Sequence, residues 1–208
     1  MLPAVSTRSV LICQCASHRR IDAEELERVR ASLGAAADTS VAIVDDLCRA
    51  AVERPEEVRQ AFESETVFIA CHARTRRALA RRTGARTTTD STFHNLRKRS
   101  ADTVLTDLEV AVITEAREIS EAPPSASTTR WEGWYPLIDY DACTHCKQCV
   151  SFCLFEVYGV DEAGRVTVEN PEACKPNCPA CARVCPKAAI IFPKFEGGPV
   201  AGEPVTED

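Results

Sequence analysis

The sequence predicts two domains of different class. An α/β domain with a short parallel sheet covers residues 1–121, and a smaller, cysteine-rich α+β domain covers 131–195. Three observations predict this. In the first 85 residues short apolar runs alternate with amphipathic helical segments, the pattern of βαβ units. The stretch Ala122-Pro-Pro-Ser-Ala-Ser-Thr-Thr129 breaks that pattern and reads as a linker over 122–130. Beyond it, eight of the twelve cysteines fall into two matched runs. A length of 208 residues is enough for two domains of ordinary size.

The elements follow in order. Ser9-Val-Leu-Ile-Cys13 is a short apolar run and reads as a buried strand. Asp22 to Leu33 is an amphipathic helix with an acidic start, ended at Gly34. Ser40–Val44 is a second strand, and Pro55–Phe62 a helix with proline in its first turn. Thr66–Ala70 is a third strand, and Arg74–Arg82 a third helix. Asp107 to Ile119 reads as a helix, with a strand from Leu108 as its rival. In the second domain, Tyr135 to Ala142 enters the first cysteine run as a strand. Glu156–Val160 and Arg165–Glu169 flank the turn cluster Asp161–Gly164 as a β-hairpin, and Ala188–Phe192 closes the domain. Trp131, Trp134 and Tyr135 are expected to pack in a core. The Gly/Pro-rich residues 196–208 read as a flexible acidic tail.

The cysteine runs are Cys143-x2-Cys146-x2-Cys149-x3-Cys153 and Cys174-x3-Cys178-x2-Cys181-x3-Cys185-Pro186. Gaps of two residues suit a metal site better than disulfides. A zinc knuckle commonly supplies two ligands and stops. Here three thiolates crowd into a few residues, twice, and a fourth follows each time, which suits two [4Fe–4S] clusters. Zinc is the rival reading.

With its hairpin and closing strand, the stretch 131–195 resembles a bacterial-type two-cluster ferredoxin. The resemblance implies one cluster held by Cys143, Cys146, Cys149 and Cys185, and a second held by Cys153, Cys174, Cys178 and Cys181. The chain departs from that family twice. Leu154 stands where proline usually follows the fourth cysteine. The Cys174–Cys178 gap holds three residues where two are usual, which implies a looser loop at the second cluster. His145, inside the first run, is a candidate for tuning a cluster by hydrogen bonding or charge.

The other four cysteines lie at strand ends: Cys13 and Cys15 after the first strand, Cys48 after the second, Cys71 after the third. In an open parallel sheet these ends share one edge, where ligands bind. Cys13-Gln-Cys15, Cys48 and Ala70-Cys71, over residues 8–85, resemble the N-terminal domain of the A subunit of heterodisulfide reductases. That resemblance implies a third [4Fe–4S] cluster. Ala16 replaces the glycine that commonly follows the Cys-x-Cys, and the chain has no room for that subunit's flavin-binding part. Buried inert thiols, a redox disulfide and zinc are the alternatives. His18 and His72 lie close by and are not expected to be ligands.

The net charge of −6 is uneven: −1 over residues 1–121 and −5 over 122–208. An acidic carrier is steered toward basic redox partners and away from nucleic acid. Residues 74–99 hold nine basic residues and one acid. They read as a solvated helix face, or as a dock for the acidic half or an acidic partner. No apolar run is long enough to span a membrane, and no signal-peptide pattern opens the chain. With so many thiols this implies the cytoplasm. No Gly-x-Gly-x-x-Gly or P-loop is present, so neither flavin nor nucleotide is expected. Together these features imply an electron-transfer protein or subunit working with redox proteins, among them a flavoprotein or a heterodisulfide-reductase-like complex. The rivals are an oxidoreductase subunit with disulfide chemistry at the N-terminal cysteines and a zinc-stabilised interaction module.

Overall fold

The structure is a computed structural model that describes residues 8–86, 93–112 and 131–205. The N-terminal half is a four-stranded parallel sheet. Its strands are β1 (Arg8–Cys13), β2 (Thr39–Val44), β3 (Thr66–Ala70) and β4 (Phe93–Asn95), in the order β2-β1-β3-β4. Strand alternation sorts the side chains into two layers. Val10, Ile12 and Ile69 face one way, onto α1 (Ala23–Ala35) and α5 (Ala101–Asp107). Leu11, Cys13, Phe68 and Ala70 face the other way, onto α2 (Leu47–Glu53), α3 (Pro55–Glu63) and α4 (Ala73–Arg82).

Local chemistry sets most boundaries. The Asp22 carboxylate caps α1 by accepting from the Glu24 and Glu25 amides. Pro55 opens α3. Three elements differ from expectation. Helix α2 was not anticipated and places Cys48 in its first turn, after the Asp46 cap. Strand β4 is three residues long, too short for alternation to reveal it. The helix expected to begin at Asp107 instead ends there. Ser100 caps α5 through the Thr103 amide, and the helix turns Val104 and Leu105 into the core. Residues 113–119 of that expectation, and the linker over 122–130, lie outside the described residues.

The C-terminal half has two small antiparallel pairs. Strands β5 (Leu137–Ile138) and β8 (Ile190–Ile191) bring its ends together, and β6 (Tyr158–Val160) with β7 (Val166–Val168) forms the expected hairpin. Helices α6 (Gln148–Phe152) and α7 (Ala180–Arg183) follow the two cysteine loops. Trp134, Tyr135, Leu137, Ile190, Ile191 and Phe192 share one apolar core with Leu47, Ala51, Phe68 and Leu79, so the two halves are packed together.

The basic stretch makes that joint polar as well. Arg74 is buried, and its guanidinium donates to Asp139 (2.8 Å) and to the carbonyls of Ala188, Pro199 and Glu203. Arg81 pairs with Asp141, and Lys98 with Glu203. It is not a solvated face but a dock for the acidic half of the same chain. The expected flexible tail is corrected too, for residues 196–205. A 3-10 turn at Pro199–Ala201 packs Ala201 and Gly202 against α4 and β8. Arg97 donates to the carbonyls of Pro193, Phe195 and Glu196, strapping the segment down.

Candidate metal centres

The first cysteine loop leaves β5 through a turn in which Asp139 O accepts from Cys143 N (2.9 Å). His145 and Lys147 adopt left-handed conformations, curling the loop before α6 begins. Cys149 in α6 is buried. The result is a hollow lined by Cys143, Cys146, Cys149 and the distant Cys185, with Ile138, Val166 and Ile190 as apolar walls. Ala189 N–H donates to Cys185 Sγ at 3.3 Å. His145 Nδ1 lies 3.8 Å from Cys143 Sγ but accepts from Val166 N–H (3.1 Å). That nitrogen therefore carries no proton to give the sulfur, and His145 serves to tie the loop to β7.

The second loop builds a hollow of its own, open to solvent. It is lined by Cys174, Cys178 and Cys181 together with Cys153 from the first run, and by Pro136, Phe152 and Val157. The extra residue between Cys174 and Cys178 is taken up as a turn. Cys178 N donates to Lys175 O (3.2 Å), and Asn177 is left-handed. Tyr158 Oη donates to Cys181 Sγ at 3.1 Å, a buried contact.

Each hollow thus gathers four thiols, three from one run and one from the other. Burial and then mutual repulsion push Cys149 and Cys174 up to about 12 and Cys181 to about 11. Crowded thiolates of this kind are stable only around a cationic centre. Among the described residues no group of three or more His, Cys, Asp or Glu side chains is arranged to hold a metal ion.

The other four cysteines lie at the C-terminal edge of the parallel sheet. In the order β2-β1-β3 the chain changes direction between β1 and β3, the switch point at which open parallel sheets commonly bind ligands. Cys13 ends β1 and Cys71 follows β3, on either side of it. Cys15 is left-handed, and Cys48 is carried on α2. Leu47 N–H donates to Cys13 Sγ at 3.3 Å. Burial raises all four thiols, Cys71 to about 11, and they raise one another. Cys13 feels Cys15 and Cys71, and Cys48 feels Cys71 and Cys13. Cys13, Cys15, Cys48 and Cys71 thus lie at this edge, within electrostatic reach of one another.

The surroundings of this edge were not foreseen. Asn95 Oδ1 accepts from Arg97 N, so its amide nitrogen donates to His72 Nδ1. The His72 proton then sits on Nε2, a buried donor without a partner beside Cys71. Lys194 and Arg97 both act on Cys15, from opposite halves of the chain. Lys194 Nζ is sealed against Asp46 (2.5 Å), Ser17 (2.8 Å) and Glu132 O. No sequence signal marks Lys194 or Arg97 for this role, because each is placed by contacts with residues far away in the chain. Tyr158 is likewise an ordinary strand residue by sequence.

No protein-family model matches the chain. One stretch of it is similar to a ferredoxin. Over 61 residues it is 49% identical to an uncharacterized ferredoxin of Methanocaldococcus jannaschii, which is 29% of this chain and 41% of that ferredoxin. The chain thus matches less than half of that relative's length. The similarity supports an iron–sulfur, ferredoxin-like region. Among the described residues no helix is long and apolar enough to cross a membrane.

Proposed function

We propose that the chain is an iron–sulfur electron-transfer protein or subunit carrying two [4Fe–4S] clusters in its C-terminal half and a third on the N-terminal sheet. The observation that carries this reading is the pair of hollows, each lined by four cysteines shared between the two runs. The first is held by Cys143, Cys146, Cys149 and Cys185, and the second by Cys153, Cys174, Cys178 and Cys181. The third is held by Cys13, Cys15, Cys48 and Cys71. When bound, such clusters take up and release single electrons with their irons fully ligated.

The chain's own residues set the conditions. Ile138, Val166 and Ile190 keep water from the first site, and Pro136, Phe152 and Val157 line the second. Ala189 N–H, Tyr158 Oη–H and Leu47 N–H donate to ligand sulfurs and favour the more negative, reduced state. Lys194 and Arg97 lower the cost of negative charge at the third site. The influence of Cys181 on Cys149 puts the first two sites within electrostatic reach of each other. Redox proteins supply both ends of the path, a flavoprotein or heterodisulfide-reductase-like complex among them. Twelve reduced thiols suit the cytoplasm.

Anaerobic purification with iron analysis and EPR of the reduced protein tests the reading. About twelve irons per chain, four for each cube, are expected. Cys71→Ser should lower this to about eight and remove one EPR signal. Unchanged iron in that variant overturns the third cluster, and a colourless zinc protein overturns the whole reading. The switch point at the sheet edge favours one second reading, disulfide chemistry at the N-terminal site. Turnover of a disulfide panel by the reduced protein would establish it, and reduction without turnover would exclude it.

A further inference from the structure

The most exposed large apolar side chain among the described residues is Leu154, at 88%. It directly follows Cys153. Phe152 and Phe155 are also exposed, at 48% and 39%. All three line the hollow of the second centre. An apolar patch of this kind beside a ligand loop marks an interaction surface. Next to it lies a second, open hollow, which shares Phe155 as a wall and carries Glu156, Glu169 and Glu172. The basic residue lining that hollow, Arg82, is already engaged with Val168 O and with the face of Tyr135.

We propose that this face is the docking site for a redox protein whose contact surface is apolar at its centre and basic at its rim. Leu154 and its two phenylalanine neighbours supply the centre, and Glu156, Glu169 and Glu172 the matching acidic rim. Docking here brings the partner's redox group to Cys153, a ligand of the second centre, which makes that centre the exit or entry point of the electron path. The inference rests on the two-cluster reading of the C-terminal half. It concerns a face of this chain's own making, since Leu154 stands where the resembled family usually has proline.

Cytochrome c, a basic haem protein with an exposed haem edge, is a direct probe. Protein with its iron content verified is reduced with dithionite, freed of excess reductant and mixed with ferric cytochrome c in a stopped-flow instrument. One electron leaves the reduced protein for each haem that passes from ferric to ferrous. Glu156→Gln/Glu169→Gln/Glu172→Gln should slow this reaction by about tenfold or more at low salt and flatten its salt dependence, as expected for lost steering. Leu154→Ser, at a position too exposed to affect folding, should slow it by about tenfold through loss of the apolar contact. Oxidation of the glutamine variant by a small uncharged quinone, and its midpoint potentials, should stay as in the parent.

Rates with cytochrome c that match the parent overturn the docking face. Equal loss with the quinone in the glutamine variant also overturns it, since that variant then acts on the centre itself. A Leu154-dependent dimer in sedimentation would assign the face to a second copy of the chain, against the proposal. Absence of iron from the parent protein is a different failure, that of the two-cluster reading.

Discussion

Lys194→Met tests the strap that closes the sheet edge. The Lys194 and Asp46 side chains are each 2% exposed and 2.5 Å apart. All three Lys194 donors are used, on Asp46, Ser17 and Glu132 O. Asp46 does double duty, because its other oxygen caps α2 through the Arg49 amide (3.1 Å). Removing the ammonium leaves a carboxylate buried with only the Ser17 hydroxyl and one amide. Breaking one side of a buried pair costs about 3–5 kcal/mol. In a chain of this size each kcal/mol shifts the melting temperature by about 2–4 °C. The expected fall is therefore about 6–20 °C in an anaerobic melt followed by circular dichroism. Lys194→Met/Asp46→Asn should recover part of the loss, because no lone charge stays buried and asparagine still caps α2. The coupling between the two positions should be at least about 2 kcal/mol. A single variant that melts within a degree of the parent, or strictly additive losses, would refute the argument.

Three further outcomes are expected. Tyr158→Phe removes the hydroxyl donor to Cys181, worth about 1 kcal/mol for a neutral hydrogen bond, or about 40 mV for one electron. The second centre's midpoint should move negative by that amount in an EPR-monitored titration while the others stay in place. Gly202 has φ +103°, and a β-carbon there would lie 2.3 Å from Thr75 Oγ1. Gly202→Ala should therefore destabilise the 3-10 strap by about 1–3 kcal/mol from backbone strain alone, seen as faster proteolysis near the C-terminus. Burial, then Arg99, holds the His94 imidazole below its usual range, and Asp107 only partly offsets this. The folded state thus binds a proton at His94 less readily than the unfolded chain, which takes one up below about pH 6.5. Stability should fall as pH drops below that point, and His94→Asn should flatten the slope of melting temperature between pH 7.5 and 5.5.

Much of the fold was legible because it rests on short-range chemistry. Ser9–Cys13, Ser40–Val44 and Thr66–Ala70 are apolar enough to be strands, and each lies within an observed one. Asp22 and Pro55 marked helix starts through groups a few residues away. The grouping of cysteines was legible for the same reason, since loops with gaps of two or three residues must curl around something. Strand β4 was not, because three residues carry no periodicity, and α2 was hidden by following β2 with hardly a break. Arg74 carries two readings in the sequence, a solvated face or a dock, and nothing local marks Lys194 as buried.

By itself, then, the sequence determined the α/β class of the first half, the hairpin of the second, and the two closely spaced cysteine runs. Each depends on neighbours in the chain. Only the tertiary structure decided that Cys48 rides on α2, that Lys194 is buried against Asp46, that Arg74 is buried against Asp139, and that the C-terminal segment packs between the two halves. Those outcomes depend on pairs such as Arg74–Asp139 and Lys194–Asp46, 65 and 148 residues apart. A charge can be buried only where a distant partner meets it, and no local pattern records that partner.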